Sequence, residues 1–361
     1  MEHPVRISII VPARDQAPYI CDALSSLTAA ADDRYGLEVL VVDDGSTDGT
    51  GELAAAFAQR LPGLRILRNE VPTGVSNARN AGLAAATGEL IGFLDPDDWL
   101  APGQLARAAD ELLELNVDFV RFGHVRVAGS KRTLHHPPQA RTSTVLDPRS
   151  DIGPIEAASM VDYCFVWAGL YRRTALEAMG PYFEPDTHTA EDRLWIWKLH
   201  LSARSYAVID APGIFYRRGL PGSLTQVHDE RQLDFAPVYA KLFALLASDP
   251  DAGALWPKAV RQFLAIGCHH LNRPGQSDDL CTSLHRVLRT SLAGLPKIRL
   301  VDGLAALDPR RRAQLLPLCP AGTAAGLHQY REPTAPAPAP RRMPVVLGAP
   351  GPSPEQIRTL P

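Results

Sequence analysis

The sequence predicts an α/β fold in which a mostly parallel sheet is flanked by helices and followed by a helical appendage. Between residue 5 and about 120, short β-branched runs alternate with Ala- and Leu-rich segments of helical spacing. This alternation is typical of parallel sheets covered by helices on both faces. From about 227 to 330 the pattern is helical, with proline breaks. Since 45% of the 361 residues are hydrophobic, the chain has enough apolar material for a large core.

The predicted elements follow one another in a regular order. Each strand candidate is an apolar run, and the helix candidates lie between these runs. Strands are expected at 5–11, 38–42, 64–67, 90–94 and 117–122, and helices at 18–31, 50–60, 75–86 and 101–115. Residues 121–160 lose this rhythm and predict a hairpin and loop, whereas 161–226 is expected to be structured again. The Pro/Ala-rich segment 331–361 is expected to be disordered or extended.

Composition excludes several classes of protein. The net charge of −3 argues against a nucleic-acid binder. The five cysteines form no CxxC pair, which indicates reduced thiols rather than a disulfide framework or a zinc site. The N-terminus has no basic segment followed by an apolar one, and no apolar run reaches about 18 residues. We therefore expect a cytoplasmic protein, with peripheral contact at the inner face of a membrane still open.

Charged residues follow three of the predicted strands at the point where each strand ends. They are Arg14 and Asp15 after the first strand, Asp43 and Asp44 after the second, and Asp95, Asp97 and Asp98 after the fourth. Parallel sheets bind ligands at the carboxyl ends of their strands. We therefore expect these side chains to converge on one edge of the sheet and to form a binding site there.

The stretch "VVDDGSTDGT" (41–50) allows two interpretations. It is either a simple strand-to-helix turn, with Asp44 or Asp48 as helix cap, or a site at which an acid accepts a hydrogen bond from a base or a ribose. Neither G-x-G-x-x-G nor G-x-x-x-x-G-K-[ST] occurs here. A Rossmann dehydrogenase and a P-loop enzyme are both disfavoured.

The stretch "GVSNARNAGLAAATGELIGFLDPDDW" (74–99) joins one arginine to three acids. Arg79 is either a surface ion-pair partner or a positive group near a diphosphate. The three acids form either a solvated turn, with Asp98 as helix N-cap, or a site for a hard cation. Carboxylate oxygens together with substrate phosphates suit Mg²⁺ or Mn²⁺.

Four stretches taken together resemble the family-two glycosyltransferases, which are nucleotide-diphospho-sugar transferases with the GT-A fold. They are "SIIVPARDQAPYICDALSSL", "EVLVVDDGSTDGT", "GVSNARNAGL" and "GELIGFLDPDDW". The resemblance is strong over about 5–125 and weaker to about 226. Many members have a Tyr-Asn pair in the first loop, where this chain reads Pro-Ala-Arg-Asp (12–15), so the contact of this loop with the nucleotide stays open.

The resemblance implies roles for individual residues. Asp44 would contact the uracil or another base, and Arg79 would lie near the nucleotide. Asp98 is the first choice for the metal, Asp97 is shared between metal and ribose, and Asp95 would support them. The donor site as a whole would comprise Pro12, Arg14, Asp44, Arg79, Asp95, Asp97, Arg217 and Ser223.

The second half of the chain contains a candidate catalytic base and a candidate loop that closes over the diphosphate. "TAEDRLWIWKL" (189–199) matches the family's ED motif, which implies that Asp192 takes a proton from the acceptor. The alternative is an acidic first turn that merely favours the helix dipole. "IFYRRGLPGSLT" (214–225) resembles the flexible loop of many members, in which Arg217, Arg218 and Ser223 would close over the diphosphate. The processive-synthase signature QxxRW is absent, which indicates transfer of one sugar.

The resemblance thus implies an inverting, metal-dependent, non-processive transferase that uses a nucleotide-diphospho-sugar, such as a UDP-sugar, and Mg²⁺ or Mn²⁺. The acceptor would be a glycan, lipid-linked or small-molecule hydroxyl in polysaccharide, cell-envelope or other glycoconjugate synthesis. Residues 1–226 would form the catalytic domain, with a nucleotide-binding half at 1–123 and an acceptor half at 124–226. Residues 227–330 would form the helical appendage. The appendage would shape the acceptor side, form a homodimer or touch a membrane. The alternatives are a sugar-phosphate nucleotidyltransferase and a catalytically inactive transferase-like binding domain.

Overall fold

Four parallel strands form the first half of the sheet in the computed structural model of the protein, which describes residues 5–30, 32–220 and 228–330. They lie side by side in the order β3, β2, β1, β4, with bounds β1 (Arg6–Ala13), β2 (Gly36–Asp44), β3 (Leu64–Asn69) and β4 (Leu90–Phe93). β1 and β2 are buried along nearly their whole length, because helices cover both faces of the sheet. The predicted α/β fold class is confirmed. Ser223 and the segment 331–361 lie outside the described residues.

The second half of the sheet is mixed. Its strands are β5 (Trp99–Leu100), β6 (Phe119–Ala128), β7 (Lys131–His135), β8 (Gly169–Arg172) and β9 (Tyr206–Arg217). β8 runs antiparallel between β4 and β6, whereas β9 is parallel to β6. β5 and β7 add antiparallel strands to β9 and β6. The fifth predicted strand therefore exists as β6 but does not continue the parallel order, and the hairpin expected after residue 121 consists of β6 and β7.

Helices pack on the sheet and then continue as a separate run. The twelve α-helices of the described residues are α1 (Ile20–Ala30), α2 (Thr50–Ala55), α3 (Val75–Ala85), α4 (Gln104–Glu114), α5 (Arg173–Ala178), α6 (Glu191–Ser202), α7 (Phe235–Ala247), α8 (Ala252–Leu271), α9 (Asp278–Gly294), α10 (Lys297–Ala305), α11 (Pro309–Leu315) and α12 (Thr323–Gln329). The first four correspond to the four predicted helices. No helix in these ranges is both long and apolar enough to cross a lipid bilayer.

A glycine lets α3 approach the sheet closely. A Cβ atom at Gly82 would lie 2.5 Å from Cγ2 of Ile10 on β1 and 3.3 Å from Cγ2 of Val42 on β2. Any larger residue would push the helix outward. The small side chains of α3 therefore fix its distance from β1 and, with it, the position of the polar residues that α3 carries.

The helical segment after residue 227 is joined to α6 by buried contacts. The indole Nε1 of Trp197 on α6 donates to Oε1 of Gln262 on α8, at 2.8 Å. The buried hydrophobic core runs without a break from the sheet through α6 into α7 and α8. The segment is helical as expected, while its division from residues 1–226 as a separate unit stays a prediction.

Candidate active site

Parallel pairing brings the predicted site residues to one edge of the sheet. Pro12 of β1 pairs with Val42 of β2, so the loop that begins at Arg14 starts beside Asp44. Pro12 itself is buried. The Arg14 side chain is 57% exposed, and its Nε lies 3.8 Å from Oδ2 of Asp15. Arg14 is thus free to meet a ligand at the mouth of the site, whereas Pro12 shapes the backbone beneath it.

The carboxylate of Asp44 is held by hydrogen bonds from one loop. Its Oδ1 accepts from Nδ2 of Asn69 at 2.7 Å and from the backbone N and Oγ1 of Thr73 at 2.8 and 2.9 Å, and its Oδ2 accepts from the backbone N of Gly74 at 2.8 Å. Burial alone would raise the pKa of Asp44, but these bonds outweigh it and hold the pKa below its usual value. Asp44 is therefore an ionised acceptor of fixed orientation. Asn69 and Thr73 were missed from the sequence, because no local pattern links them to Asp44.

The rest of the "DDGSTDGT" turn holds the first loop in place. The backbone N of Asp15 donates to Oγ of Ser46 at 3.0 Å, and that of Ala17 donates to Oδ2 of Asp48 at 2.9 Å. Oδ1 of Asp48 also accepts from the backbone N of Thr50, the first residue of α2, at 3.0 Å. Asp48 therefore stabilises the strand-to-helix turn, as in the first of the two interpretations. The Asp44 side chain is instead directed to the loop at 69–74.

The buried guanidinium of Arg79 joins two acidic motifs that are distant in sequence. Its Nη1 donates to Oε1 of Glu191 at 2.7 Å, and its Nη2 donates to Oδ1 of Asp95 at 3.2 Å. It also lies over the ring of Phe183, 5.3 Å from the centroid. Burial alone would lower the pKa of Arg79, but the two carboxylates raise it above its usual value. Arg79 thus lies at the expected edge, with its charge directed to Asp95 and Glu191. We call this trio the arginine clamp.

Further polar residues of α3 bind the segment that precedes α6. Oγ of Ser76 donates to the carbonyl of Thr187 at 2.8 Å. Nδ2 of Asn80 donates to the carbonyl of Phe183 at 2.9 Å, and Oδ1 of Asn80 accepts from the backbone N of Phe183 at 3.0 Å. Through these bonds the "SNARNAG" motif holds the segment before α6, and with it the ED motif, against the acid cluster. We call Ser76, Asn80 and the segment 183–187 that they bind the bracket.

Asp97 and Asp98 have different surroundings. Burial and the nearby Asp95 raise the pKa of Asp97 to about 6, although Arg217 and Arg218 oppose this. Asp98 is 0% exposed, its Oδ1 accepts from the backbone N of Arg217 at 2.6 Å, and its Oδ2 has no hydrogen-bond partner among the described residues. Burial and the two other acids raise the pKa of Asp98 well above its usual value. The Asp98 side chain is packed beneath β9, and its assignment as the first metal ligand stays a prediction.

The arginine that ends β9 and the one that follows it make different contacts. The guanidinium of Arg217 lies 4.8 Å from the ring centroid of Trp99, and its Nη2 is 3.0 Å from Oδ2 of Asp22. The Arg218 Nη1 donates to the hydroxyl of Tyr216 at 2.6 Å. The diphosphate contact expected of both arginines stays a prediction, and the Arg217 side chain is engaged on the side of α1.

The ED motif begins α6. The Glu191 side chain is 12% exposed and engaged by Arg79, whereas the Asp192 side chain is 31% exposed and lies 3.9 Å from Nε of Arg193. Burial raises the pKa of both acids, against the opposing charge of Arg79. Asp192 is the more accessible of the two, as a residue that takes a proton from a substrate must be.

A protein-family model described as glycosyl transferase family 2 matches residues 8–180, which include the strand ends and the bracket described above. These residues form a family 2 glycosyltransferase domain. Two relatives are an uncharacterized glycosyltransferase EpsJ of Bacillus subtilis, 30% identical over 63% of this chain and 65% of its own length, and a putative glycosyltransferase EpsH of the same organism, 28% identical over 60% and 62%. The chain thus spans slightly less than two thirds of the length of these relatives.

A solved structure shares the fold of this family 2 domain and extends the likeness beyond it. The crystal structure of Staphylococcus aureus TarS 1-349 in complex with UDP-GlcNAc matches with a TM-score of 0.71 at 21% identity, and covers 90% of this chain and 88% of that one. Likeness at this identity concerns the fold. The GT-A type architecture implied by the sequence motifs is thereby confirmed.

Proposed function

We propose that this protein transfers one sugar from a nucleotide-diphospho-sugar, specifically a UDP-sugar, to a hydroxyl group of a glycan, lipid-linked or small-molecule acceptor. We propose further that transfer is inverting and belongs to polysaccharide, cell-envelope or other glycoconjugate synthesis. Two comparisons support this. The TarS structure of similar fold contains UDP-GlcNAc. The TarS relative, 28% identical over 59% of this chain, is named a poly(ribitol-phosphate) beta-N-acetylglucosaminyltransferase.

The arginine clamp is the observation that carries the proposal. Arg79 touches Asp95 on one side and Glu191 on the other, at 3.2 and 2.7 Å. A transfer reaction needs a donor site and a proton acceptor within one cleft. The clamp brings the "DPDD" turn and Asp192 to the same cleft, although about a hundred residues separate them.

In the proposed reaction, the oxygen of the acceptor hydroxyl attacks the anomeric carbon while Asp192 accepts the proton of that hydroxyl. The bond between the anomeric carbon and the diphosphate oxygen breaks, and the nucleoside diphosphate departs with its electron pair. A single displacement of this kind inverts the anomeric configuration. The raised pKa of Asp192 makes its carboxylate a stronger base than a solvent-exposed aspartate. Glu191 stays paired with Arg79 and holds the start of α6. Arg14 and Arg217 would contact the diphosphate side of the donor, and Asp44 the base.

The acid cluster fits a divalent cation that is held in part by the substrate. Among the described residues, no group of three or more His, Cys, Asp or Glu side chains is arranged as a complete metal site. A Mg²⁺ site nevertheless needs only one or two carboxylates when diphosphate oxygens supply the rest. Asp97 carries repulsion from Asp95 that a cation would relieve, so we propose Asp97 as the carboxylate that holds Mg²⁺ or Mn²⁺. When bound, such an ion would neutralise the leaving diphosphate.

The assignment of Asp192 is tested by Asp192→Asn. We expect the wild type, incubated with a panel of nucleotide sugars and Mg²⁺ or Mn²⁺, to release nucleoside diphosphate slowly even without acceptor. Asp192→Asn should bind UDP as the wild type does and lose turnover by about a thousand-fold or more, because the base is removed and the donor site is not. Asp210→Asn, which changes an exposed acid of β9 that makes no side-chain hydrogen bond or ion pair with any described residue, is the matched control and should retain activity.

Three results would contradict the proposal. Release of pyrophosphate from a nucleoside triphosphate and a sugar phosphate would indicate a nucleotidyltransferase. Binding of UDP without turnover of any donor by the wild type would indicate an inactive binding domain. Equal loss of UDP binding in Asp192→Asn and Asp97→Asn would mean that the division of roles is wrong. The cytoplasmic location, the membrane contact and the homodimer stay predictions.

A further inference from the structure

A pocket of about 330 Å³ lies beside the acid cluster, between β6, β7 and the end of β9. We call it the aromatic pocket. Among the residues that line it are Arg126, His135, Tyr163, Phe165, Tyr216 and Arg218. Its volume is at the lower end of that of small-molecule binding sites. The β6–β7 side of the pocket comes from the part of the chain that resembles no specific family motif, so the family assignment does not say what the pocket binds.

The charge of the pocket is positive. The side chain of Arg126 is exposed and makes no hydrogen bond or ion pair with any described residue. Arg218 is bonded to the hydroxyl of Tyr216, and no carboxylate lies within ion-pair distance in the described ranges. The acid that lines the pocket, Asp162, is neutralised by the buried Lys258, whose Nζ lies 2.6 Å from its Oδ2. Neither arginine is therefore in ion-pair contact with a carboxylate of the described residues.

The inner wall combines stacked rings with one unused polar atom. His124 and His135 stack with a centroid distance of 5.0 Å, and Nδ1 of His124 lies 2.8 Å from the hydroxyl of Tyr163. Burial lowers the pKa of His124 to about 4, so this imidazole is neutral. Nε2 of His135 is buried and has no hydrogen-bond partner among the described residues. The pocket thus offers ring faces for an apolar surface, while Nε2 of His135 lies buried in its wall.

The aromatic pocket adjoins both halves of the reaction centre. Arg218 is close enough to Asp97 to lower its pKa, and Tyr216 is within electrostatic range of Asp95. On the opposite wall, the segment that carries Tyr163 continues into Cys164, whose thiol is near Asp192. A molecule in the pocket would therefore lie beside the donor end of the cleft, and the Tyr163 side of the pocket adjoins a residue on which the charge of Asp192 acts.

We infer that the aromatic pocket is the acceptor subsite and that the acceptor carries an anionic group, a phosphate or a carboxylate, next to the sugar or polyol that bears the attacked hydroxyl. The inference rests on the proposed function and specifies its acceptor class. Arg126 and Arg218 bind the anion through charge-assisted hydrogen bonds. Phe165 and Tyr216, both partly exposed, receive the apolar face of the ring or chain.

Calorimetric titration of the full chain with small probes tests this. The probes are glucose 6-phosphate, glucuronate, methyl glucoside and inorganic phosphate, each with and without saturating UDP and Mg²⁺. At least one of the two anionic sugars should bind about ten-fold more tightly than methyl glucoside, and which one does so distinguishes phosphate from carboxylate. Arg126→Gln should weaken that binding by about ten-fold and leave UDP binding unchanged.

The matched control is Arg132→Gln, which removes an exposed arginine of β7 whose guanidinium is bonded to the carbonyl of Gly129 and which does not line the pocket. It should change the affinity for the anionic sugar by less than about two-fold. Equal binding of methyl glucoside, equal binding of inorganic phosphate, displacement of the anionic sugar by UDP, or equal loss in both arginine variants would each overturn the inference. Failure of the wild type to bind UDP would instead contradict the proposed function, so the two failures are distinguishable.

Discussion

Asp97 and Asp98 are adjacent in the chain but have different environments. Asp97 is partly exposed beside Asp95 and the arginines, whereas Asp98 is fully buried and bonded to the backbone of Arg217. A carboxyl group in the position of Asp98 can hold β9 against the turn without carrying a charge. We therefore propose that Asp98 positions β9 and that Asp97 binds the cation, although the sequence motif made Asp98 the first choice for the metal.

The pair Asp98→Asn and Asp97→Asn tests this division. An asparagine at 98 keeps the acceptor for the Arg217 N–H and removes a carboxyl whose ionised form is disfavoured. We expect its Mg²⁺-dependent affinity for UDP to stay within about three-fold of wild type, while Asp97→Asn loses about ten-fold or more. Equilibrium titration with UDP at several Mg²⁺ concentrations measures both. A greater loss of Mg²⁺ dependence at Asp98→Asn would restore Asp98 as the principal ligand.

At the scale of elements, α3 is the part of the fold that sets the geometry of the cleft. It packs on β1 through Gly82, and its polar face binds the segment 183–187 and Glu191. One face of α3 thus packs on the sheet, and the opposite face sets the geometry of the site. A change on the polar face should alter the position of α6 before it alters the stability of the sheet.

Asn80→Ala tests the bracket. It removes two hydrogen bonds to the backbone of Phe183, which should lower the free energy of unfolding by about 1–3 kcal/mol. Because α6 loses its support, we expect kcat to fall more than the affinity for UDP. Amide hydrogen exchange should show faster exchange at Phe183. The control is Asn272→Ala, which removes hydrogen bonds of an asparagine at the end of α8. An equal fall of kcat in this control would contradict a specific role of α3.

At the scale of the whole molecule, buried neutral histidines link stability to pH. His200 is 0% exposed, with Nδ1 3.0 Å from the carbonyl of Pro148. Burial lowers its pKa to about 4, although this hydrogen bond opposes the shift. As the pH falls below about 6.5, the unfolded chain binds a proton at this histidine before the folded chain does. The contribution of His200 therefore reduces stability as the pH falls from about 6.5 to about 4.

His200→Asn isolates this effect from other titrating groups. An asparagine can donate to the Pro148 carbonyl but does not titrate. The variant should be less stable than the wild type near neutral pH, because a ring is removed from the core. The difference between the two free energies of unfolding should shrink by about 2 kcal/mol between about pH 7.5 and about pH 5. Urea unfolding at both pH values measures it, and a constant difference would contradict a neutral buried His200.

The parallel half of the fold was predictable because its signals are local. Each of β1 to β4 is an apolar run, and the acids at their ends follow from the rule for parallel sheets. The second half was less predictable, because β5, β8 and β9 pair with strands distant in sequence and no local pattern specifies antiparallel order. In the candidate site, too, contacts between residues distant in sequence could not be predicted from local patterns. The sequence indicated Arg217 and Arg218 equally, and only the folded chain shows that Arg217 lies against Trp99 and Asp22 and Arg218 against Tyr216.

The arginine clamp also bears on how this protein can change over evolutionary time. Its three members lie in three motifs, and Arg79 is separated by 16 residues from Asp95 and by 112 from Glu191. Loss of Arg79 would leave the largely buried Glu191 without its partner, which costs about 3–5 kcal/mol in comparable cases. Arg79 and Glu191 are therefore expected to be epistatic, since a substitution at one changes the cost of a substitution at the other. Exposed residues of the β6–β7 hairpin that do not line the aromatic pocket, such as Arg132, carry no such constraint and can diverge singly.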